Sequence, residues 1–497
     1  MNDRATYRPR GFVRAGTSGG GRTRWRRRAT ALGAALLMAV AGPAVVTPQP
    51  AAAAVPHFDG DPTQYWNAVL VDVFRQLNGP DAAPGKLARA AAMMNAALFD
   101  AETMYHDKWR VRRFRPYLQA GSYFSVAETD HEEERVIGRT AYNILLDLYG
   151  TATTHSPSMT SLLDQRFTYR FGTSPADFDY LDLQVVSSVV QRMRQFRSGD
   201  GSANPNLYTP AGVPGSWRPT GDPGCSRPDQ AGTPFWGQVK PFALTSGSQF
   251  RPDTPQRAGS YAELLADPEY QRQVNEVRRL GGAASTAATR NERTADQTAA
   301  AKFWANDVDD TYRPVGQLLT HTGQVAQQLG VGDKYESARL HALVSLALAD
   351  ASIAAWDAKY LTVIDLWRPE SAIRAIDPDW RPFSVDRNGT HFSPCFPAWV
   401  SGHATFAGAW AGVMKRYFNG NATFTVSTED PTSPVKNKTF TSFDQAAQEN
   451  AQSRIWLGVH YPWDGSDGLV LGENIATHVF TNKLTPLPSA PLKARSH

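Results

Sequence analysis

PGKLARAAAMMNAALFDAETMY, residues 84–105, sets alanine, leucine and methionine at helical spacing around most of a helix circumference. Alanine-rich segments favour helix because they lose little side-chain entropy on folding, and apolar residues on most faces call for burial among other helices. The same kind of signal recurs at 132–149, 158–170, 176–197 and 261–279, and again at 294–306, 315–329, 334–357, 403–418, 441–457 and 465–483. Alternating β-branched residues concentrate only at 421–440. The expected fold is mainly α, a large helical-bundle architecture of two packed bundles with a long irregular loop and little strand.

Outward from these helices the chain divides into three expected regions. Residues 1–54 read as an export segment: the basic run RTRWRRR at 22–28 precedes an uncharged apolar stretch to Val46, and Ala51–Ala54 offer small residues for cleavage. The paired arginines leave both the general and the twin-arginine routes open, and either exports the protein. Residues 55–290 form an N-terminal helical half with a Gly/Pro-rich loop at 198–255, and 291–497 form a C-terminal bundle. A loop of that length is unusual in a compact fold, so Trp217, Trp236 and Phe242 are expected to hold it against the helices.

Composition narrows the function classes. Of the overall net charge of +4, the first 54 residues carry +8, with nine arginines and one aspartate, which leaves the remainder near −4. The basic balance thus belongs to the leader, and nothing beyond it resembles the basic face of a nucleic-acid binder. No segment after residue 54 reads as a permanent membrane anchor. Two cysteines, Cys225 and Cys395, exclude a disulfide framework and a cysteine-rich metal site, and leave open whether the two pair with each other.

Chemistry concentrates in three short segments. Lys359 and Arg368 stand nine residues apart, which on one continuous helix places them on opposite faces, but Pro369 pushes Arg368 out of helical conformation and ends the helix before it. In Ser401-Gly402-His403, the serine is a candidate N-cap, the helix start offers free N–H groups to an anion, and the glycine admits close approach. His460 and Asp464 have the spacing at which a carboxylate orients an imidazole, Pro462 suits a first helical turn, and Arg454 comes from the turn before. Taken singly, each segment is equally an ordinary capped helix, a solvated helix end or a surface pair. Taken together, their cations and imidazoles suit one tetrahedral oxyanion.

In this order and spacing, Lys359…Arg368-Pro369, Ser401-Gly402-His403 and Ser453-Arg454…His460…Asp464 resemble the three-part signature shared by vanadium-dependent haloperoxidases and type 2 phosphatidic acid phosphatases, nearest to bacterial chloroperoxidase-type members. The segment TADQTAAAKFWANDVDD from Thr294 extends the similarity. Two features depart from the signature: the lysine-to-arginine spacing is long, and Val400 replaces the usual proline before the serine.

As a haloperoxidase, the resemblance implies vanadate as cofactor and hydrogen peroxide and halide as substrates. His460 would be the vanadium ligand, and Asp464 would fix its tautomer. Lys359, Arg368, Ser401, Gly402 and Arg454 would hold the oxyanion, with His403 as general base. Trp356, Phe396 and Trp399 would form an aromatic pocket wall. As a phosphatase it implies no cofactor and a phosphoester substrate, with His460 forming a phosphohistidine and His403 protonating the leaving alcohol. A secreted protein that sequesters the oxyanion without turnover is a third reading. Halide or phosphoester preference, the organic acceptor and the oligomeric state are not encoded in these motifs.

Overall fold

The computed structural model describes residues 61–109, 113–118, 129–150, 157–177, 180–205 and 207–488, and its segment Val55–His497 is one compact unit. In chain order the α-helices are α1 (Pro62–Gln76), α2 (Pro84–Trp109), α3 (Asp130–Leu145), α4 (Pro157–Phe171), α5 (Tyr180–Arg197), α6 (Tyr261–Ala266), α7 (Pro268–Leu280), α8 (Ala295–Phe303), α9 (Arg313–Gln328) and α10 (Lys334–Tyr360). They continue with α11 (Pro369–Ile373), α12 (Gly402–Tyr417), α13 (Phe443–Trp456) and α14 (Pro462–Asn482). Among the described residues a single antiparallel hairpin, β1 (Phe424–Ser427) and β2 (Asn437–Phe440), pairs Phe424 with Phe440 between α12 and α13. The mainly α expectation holds, and strand forms inside 421–440, where alternation pointed.

Helix α10 is the axis of the fold. It packs against α2, α12 and α14, and nearly all of its residues are buried. Its length and hydropathy alone would let it cross a membrane, but the apolar window is wholly covered by its neighbours, so it is a core helix. Helix α1 went unread in the sequence. Its signals are Asp61, which caps the N–H groups of Thr63 and Gln64, Pro62 at the first position, and the buried run Tyr65, Trp66, Val69, Leu70, Val73 and Phe74.

Two features place the C-terminal helices for chemistry. Helices α12 and α14 approach so closely that a Cβ on Gly408 would lie 2.5 Å from the Leu469 carbonyl oxygen. The contact requires glycine, and it brings the start of α12 beside the start of α14, where the Ser401 N–H donates to the Asp464 carbonyl at 2.9 Å. The second feature is the loop at 198–255, which runs over α10 as short 3-10 turns. Trp217, Trp236 and Phe242 are all buried, as expected of its anchors.

Polar anchors fix the same loop. Trp236 Nε1 donates to Ser352 Oγ at 2.9 Å, and the backbone N–H groups of Phe242, Ala243 and Leu244 all donate to the Asp350 carboxylate on α10 at 2.7–2.8 Å. The open question of the cysteines resolves as a disulfide: Cys225 and Cys395 lie 5.2 Å apart at Cα and close a loop of sequence separation 170. A cross-link over so long a stretch is worth about 4–5 kcal/mol in a chain-entropy model. It ties the loop to the segment leading into Ser401.

Candidate active site

Lys359 lies in the last turn of α10 and is fully buried. Its Nζ donates to the carbonyls of Pro397 and Ala398 at 2.8 and 3.0 Å. The same ammonium lies over the rings of Phe396, 5.1 Å from its centroid, and Trp356, 5.8 Å away. Burial, with the Arg368 charge added, holds its pKa well below the usual lysine range.

Arg368 precedes α11 as its extended N-cap, because Pro369 occupies the first helical position. Its Nε donates to the carbonyls of Phe396 and Pro394, and its Nη1 to the Val459 carbonyl at 2.7 Å and to His460 Nε2 at 3.1 Å. A guanidinium only donates, so His460 Nε2 carries a lone pair. The proton of this imidazole is therefore on Nδ1, which donates to Asp464 Oδ2 at 2.8 Å. Asp464 is held in turn by the Tyr461 N–H at 3.0 Å, within the first turn of α14. Burial first, then the charges of Arg368 and Lys359, keep His460 well below its ordinary pKa and neutral. Burial also raises the Asp464 carboxyl to about 7.

Ser401 caps α12, with its Oγ accepting from the Ala404 N–H. The N–H groups of a first helical turn have no partner within the helix, which leaves those of Gly402 and His403 without a helical acceptor. Arg454, in the last turn of α13, joins them with its Nη2 on Asp307 Oδ2 at 2.8 Å. His403 Nε2 lies 3.8 Å from the same carboxylate oxygen, too far for a hydrogen bond. Burial and Arg454 push the His403 pKa down to about 3, against the opposing pull of Asp307.

Buried N–H groups are rarely left without acceptors, and here several are. Arg368 Nη2, Arg454 Nε and Arg454 Nη1 are buried donors without a protein partner, and His403 Nε2 is a buried ring nitrogen without one. Three of these are nitrogens of guanidinium groups, which have donors and no acceptors, so the group they await is an anion with several oxygens. The chemistry of the donor set fits vanadate or phosphate, and His460 Nε2, whose lone pair here accepts from Arg368 Nη1, would be the nitrogen to ligate its central atom once that hydrogen bond is exchanged.

The structure thus gathers Lys359, Arg368, Ser401, Gly402, His403, Arg454, His460 and Asp464, with Trp356 and Phe396 against the cations. Trp399 is turned elsewhere: it is fully buried and its Nε1 donates to Asp467 on α14 at 2.8 Å. Asp307 was missed in the sequence. It stands in WANDVDD among three aspartates, and nothing in the local pattern selects the one that reaches Arg454. Burial acts to raise its pKa, but Arg454 and His403 overcome this and hold it below the usual range. Its side chain, a quarter exposed, faces a narrow cleft lined by Lys302, Phe383, Val385, Arg387 and Leu457.

Comparison with known proteins agrees with this arrangement. Residues 339–486, which hold every residue of the signature, match the family model of the VCPO second helical-bundle domain. Vanadium chloroperoxidase from Curvularia inaequalis is 30% identical over 289 residues, 47% of this chain and 46% of that protein, so the chain spans about half the length of the curated relative it matches. Among solved structures, a bacterial vanadium-dependent iodoperoxidase superposes with a TM-score of 0.63 at 24% identity, covering 86% of this chain and 96% of that one. A bacterial vanadium-dependent chloroperoxidase in its apo form gives 0.61 at 17% identity, covering 81% and 93%. These two likenesses are of fold. With the signature residues gathered in one pocket, residues 339–486 are similar to the second helical-bundle domain of vanadium chloroperoxidases, and the described chain shares the fold of bacterial vanadium-dependent haloperoxidases.

Proposed function

We propose that the protein is an exported vanadate-dependent haloperoxidase that uses hydrogen peroxide to oxidise halide. The observation that carries this reading is the set of unmet donors on Arg368 and Arg454 around a His460 Nε2 whose lone pair is fixed by its neighbours. The naming of the relatives as haloperoxidases favours vanadate over a transient phosphoester, and so does the aromatic pair Trp356 and Phe396 beside the cations. Export rests on the leader-like residues 1–54.

Vanadate, when bound, supplies a Lewis-acidic centre that makes peroxide an oxidant of halide. The protein's part is to hold and to move protons. His460 Nε2 is the one imidazole nitrogen oriented to ligate, and Asp464 keeps the proton on Nδ1. Arg368 Nη2, Arg454 Nε and Nη1, and the Lys359 ammonium offset the oxyanion charge, and the Ser401 hydroxyl and Gly402 N–H add hydrogen bonds at the helix start. His403 Nε2, neutral and without a partner, takes a proton from incoming peroxide. An anion beside Arg454 offsets one of the three causes that depress His403, burial, Arg454 and Arg368, and so strengthens it as a base.

Protein reconstituted with orthovanadate should retain about one vanadium per chain and brominate monochlorodimedone with peroxide and bromide. If it instead hydrolyses p-nitrophenyl phosphate and orthovanadate inhibits that hydrolysis, the phosphatase reading stands, with His460 Nε2 attacking phosphorus. Oxyanion binding with neither activity leaves a sequestering protein.

A further inference from the structure

We propose that Gly232, in the loop over α10, is a specificity-determining residue: its missing side chain sets where the Phe396 ring lies over Lys359 and Arg368. This rests on the haloperoxidase reading of the pocket.

Gly232 touches the aromatic wall from three directions. Its N–H donates to the Cys395 carbonyl at 2.7 Å, one residue before Phe396 and at the disulfide that ties this loop down. Its carbonyl accepts from Trp356 Nε1 at 2.9 Å and from the Tyr360 hydroxyl at 3.3 Å. A Cβ at this position would lie 2.9 Å from Phe396 Cδ1, inside van der Waals contact. The ring so placed packs on Trp356 at a centroid separation of 5.0 Å and lies 4.7 Å from the Arg368 guanidinium and 5.1 Å from the Lys359 ammonium.

No hydrogen bond of Gly232 reaches an oxyanion-binding side chain, so it acts only through the wall. Phe396 is half-buried and so forms part of the surface a second, polarisable anion meets beside these cations. A shift of its ring by a few tenths of an ångström changes the width and polarity of that approach, and halides differ most in size and hydration. A methyl-sized change in an apolar wall is worth at most about 10–200-fold in discrimination. Because the ring can yield, the effect of one methyl falls toward the low end.

The test is Gly232→Ala in the vanadate-loaded protein and in an F396A background, with three readouts. Vanadate affinity by calorimetry on the metal-free protein is expected to stay within about twofold, because no oxyanion donor moves. The ratio of kcat/KM for iodide to that for bromide is expected to change about threefold or more, carried by the halide KM. In the F396A background the same substitution is expected to leave that ratio unchanged. An unchanged ratio in the single variant overturns the proposal, and so does an equal effect with and without Phe396, which would mean a general loosening of the loop. If the parent protein neither binds vanadate nor oxidises halide, the reading of the pocket itself has failed, which is a different result.

Discussion

Two places on or beside α10 bury charge in opposite ways. At Asp350 one carboxylate is met by three backbone N–H groups from residues 242–244, and every donor has its acceptor. Some ten residues further on, the pocket around Lys359, Arg368 and Arg454 holds three cations against two carboxylates, Asp464 behind His460 and Asp307 on Arg454, and nitrogens of two guanidiniums are left without acceptors. A satisfied buried charge is a fastening. A cluster whose buried guanidinium donors lack acceptors and whose cations outnumber its carboxylates is an anion-binding site, because the cost of its unmet donors is recovered when a ligand of the opposite sign enters.

The largest effect expected from this contrast is chemical. His460→Ala removes the nitrogen oriented toward the oxyanion, and the bromination rate should fall by about a thousandfold or more, with vanadium content after gel filtration falling in parallel. The thermal midpoint should move little, since the lost hydrogen bonds lie within the pocket. Full activity in this variant would end the assignment of His460.

At the other place the large effect is on stability. Asp350→Ala leaves three backbone donors buried without acceptors, at about 1–3 kcal/mol each before relaxation, so a loss of roughly 3–5 kcal/mol is expected in urea unfolding. The folded fraction should still bind vanadate. A loss below about 1 kcal/mol would mean that water replaces the carboxylate and that the loop is held by its tryptophans alone.

Arg454→Met sharpens the contrast from the pocket side. Two of its three guanidinium nitrogens have no partner, and methionine retains much of its length. The empty protein should change in stability by less than about 1 kcal/mol, because the loss of an uncompensated buried charge offsets the loss of the Asp307 pair. Vanadate affinity should fall by about 10–100-fold, the equivalent of one or two charge-assisted hydrogen bonds, as read by calorimetry. Equal damage to stability and binding would show that Arg454 is a fastening too.

The pocket was legible in the sequence and the fastening was not, for a physical reason. Lys359, Arg368, His403 and His460 stand at helix ends, and caps and prolines such as Ser401, Pro369 and Pro462 leave local marks that fix where side chains emerge. Asp350 lies mid-helix within an alanine-rich run, where its three partners from a distant loop leave no trace. The same holds for Asp307, whose role depends on α13 arriving beside it, for Gly232, whose neighbour Phe396 is 164 positions away, and for the Cys225–Cys395 bond. Trp399 shows the reverse error: neighbours in one aromatic cluster of the sequence make different contacts, Phe396 with the cations and Trp399 with Asp467.

Glu370 lies between the two extremes and gives the smallest and most pH-dependent prediction. It follows Arg368 by two residues, its side chain is 1% exposed, and Ser393 Oγ donates to it at 2.7 Å. Burial first and the neighbouring Asp222 second raise its pKa from 4.5 to about 7. The folded protein therefore keeps a proton that the unfolded chain has released between those values, so this group's contribution is most favourable at low pH and is lost as pH rises through 7. Such a shift corresponds to about 3.4 kcal/mol at most. Glu370→Gln cannot titrate but can still accept from Ser393 and donate toward Asp222. Its unfolding free energy should match the parent near pH 4.5 and exceed it by about 1–3 kcal/mol at pH 8. Parallel stability curves across that window would mean that water reaches the carboxylate and that its burial is less complete than its surroundings imply.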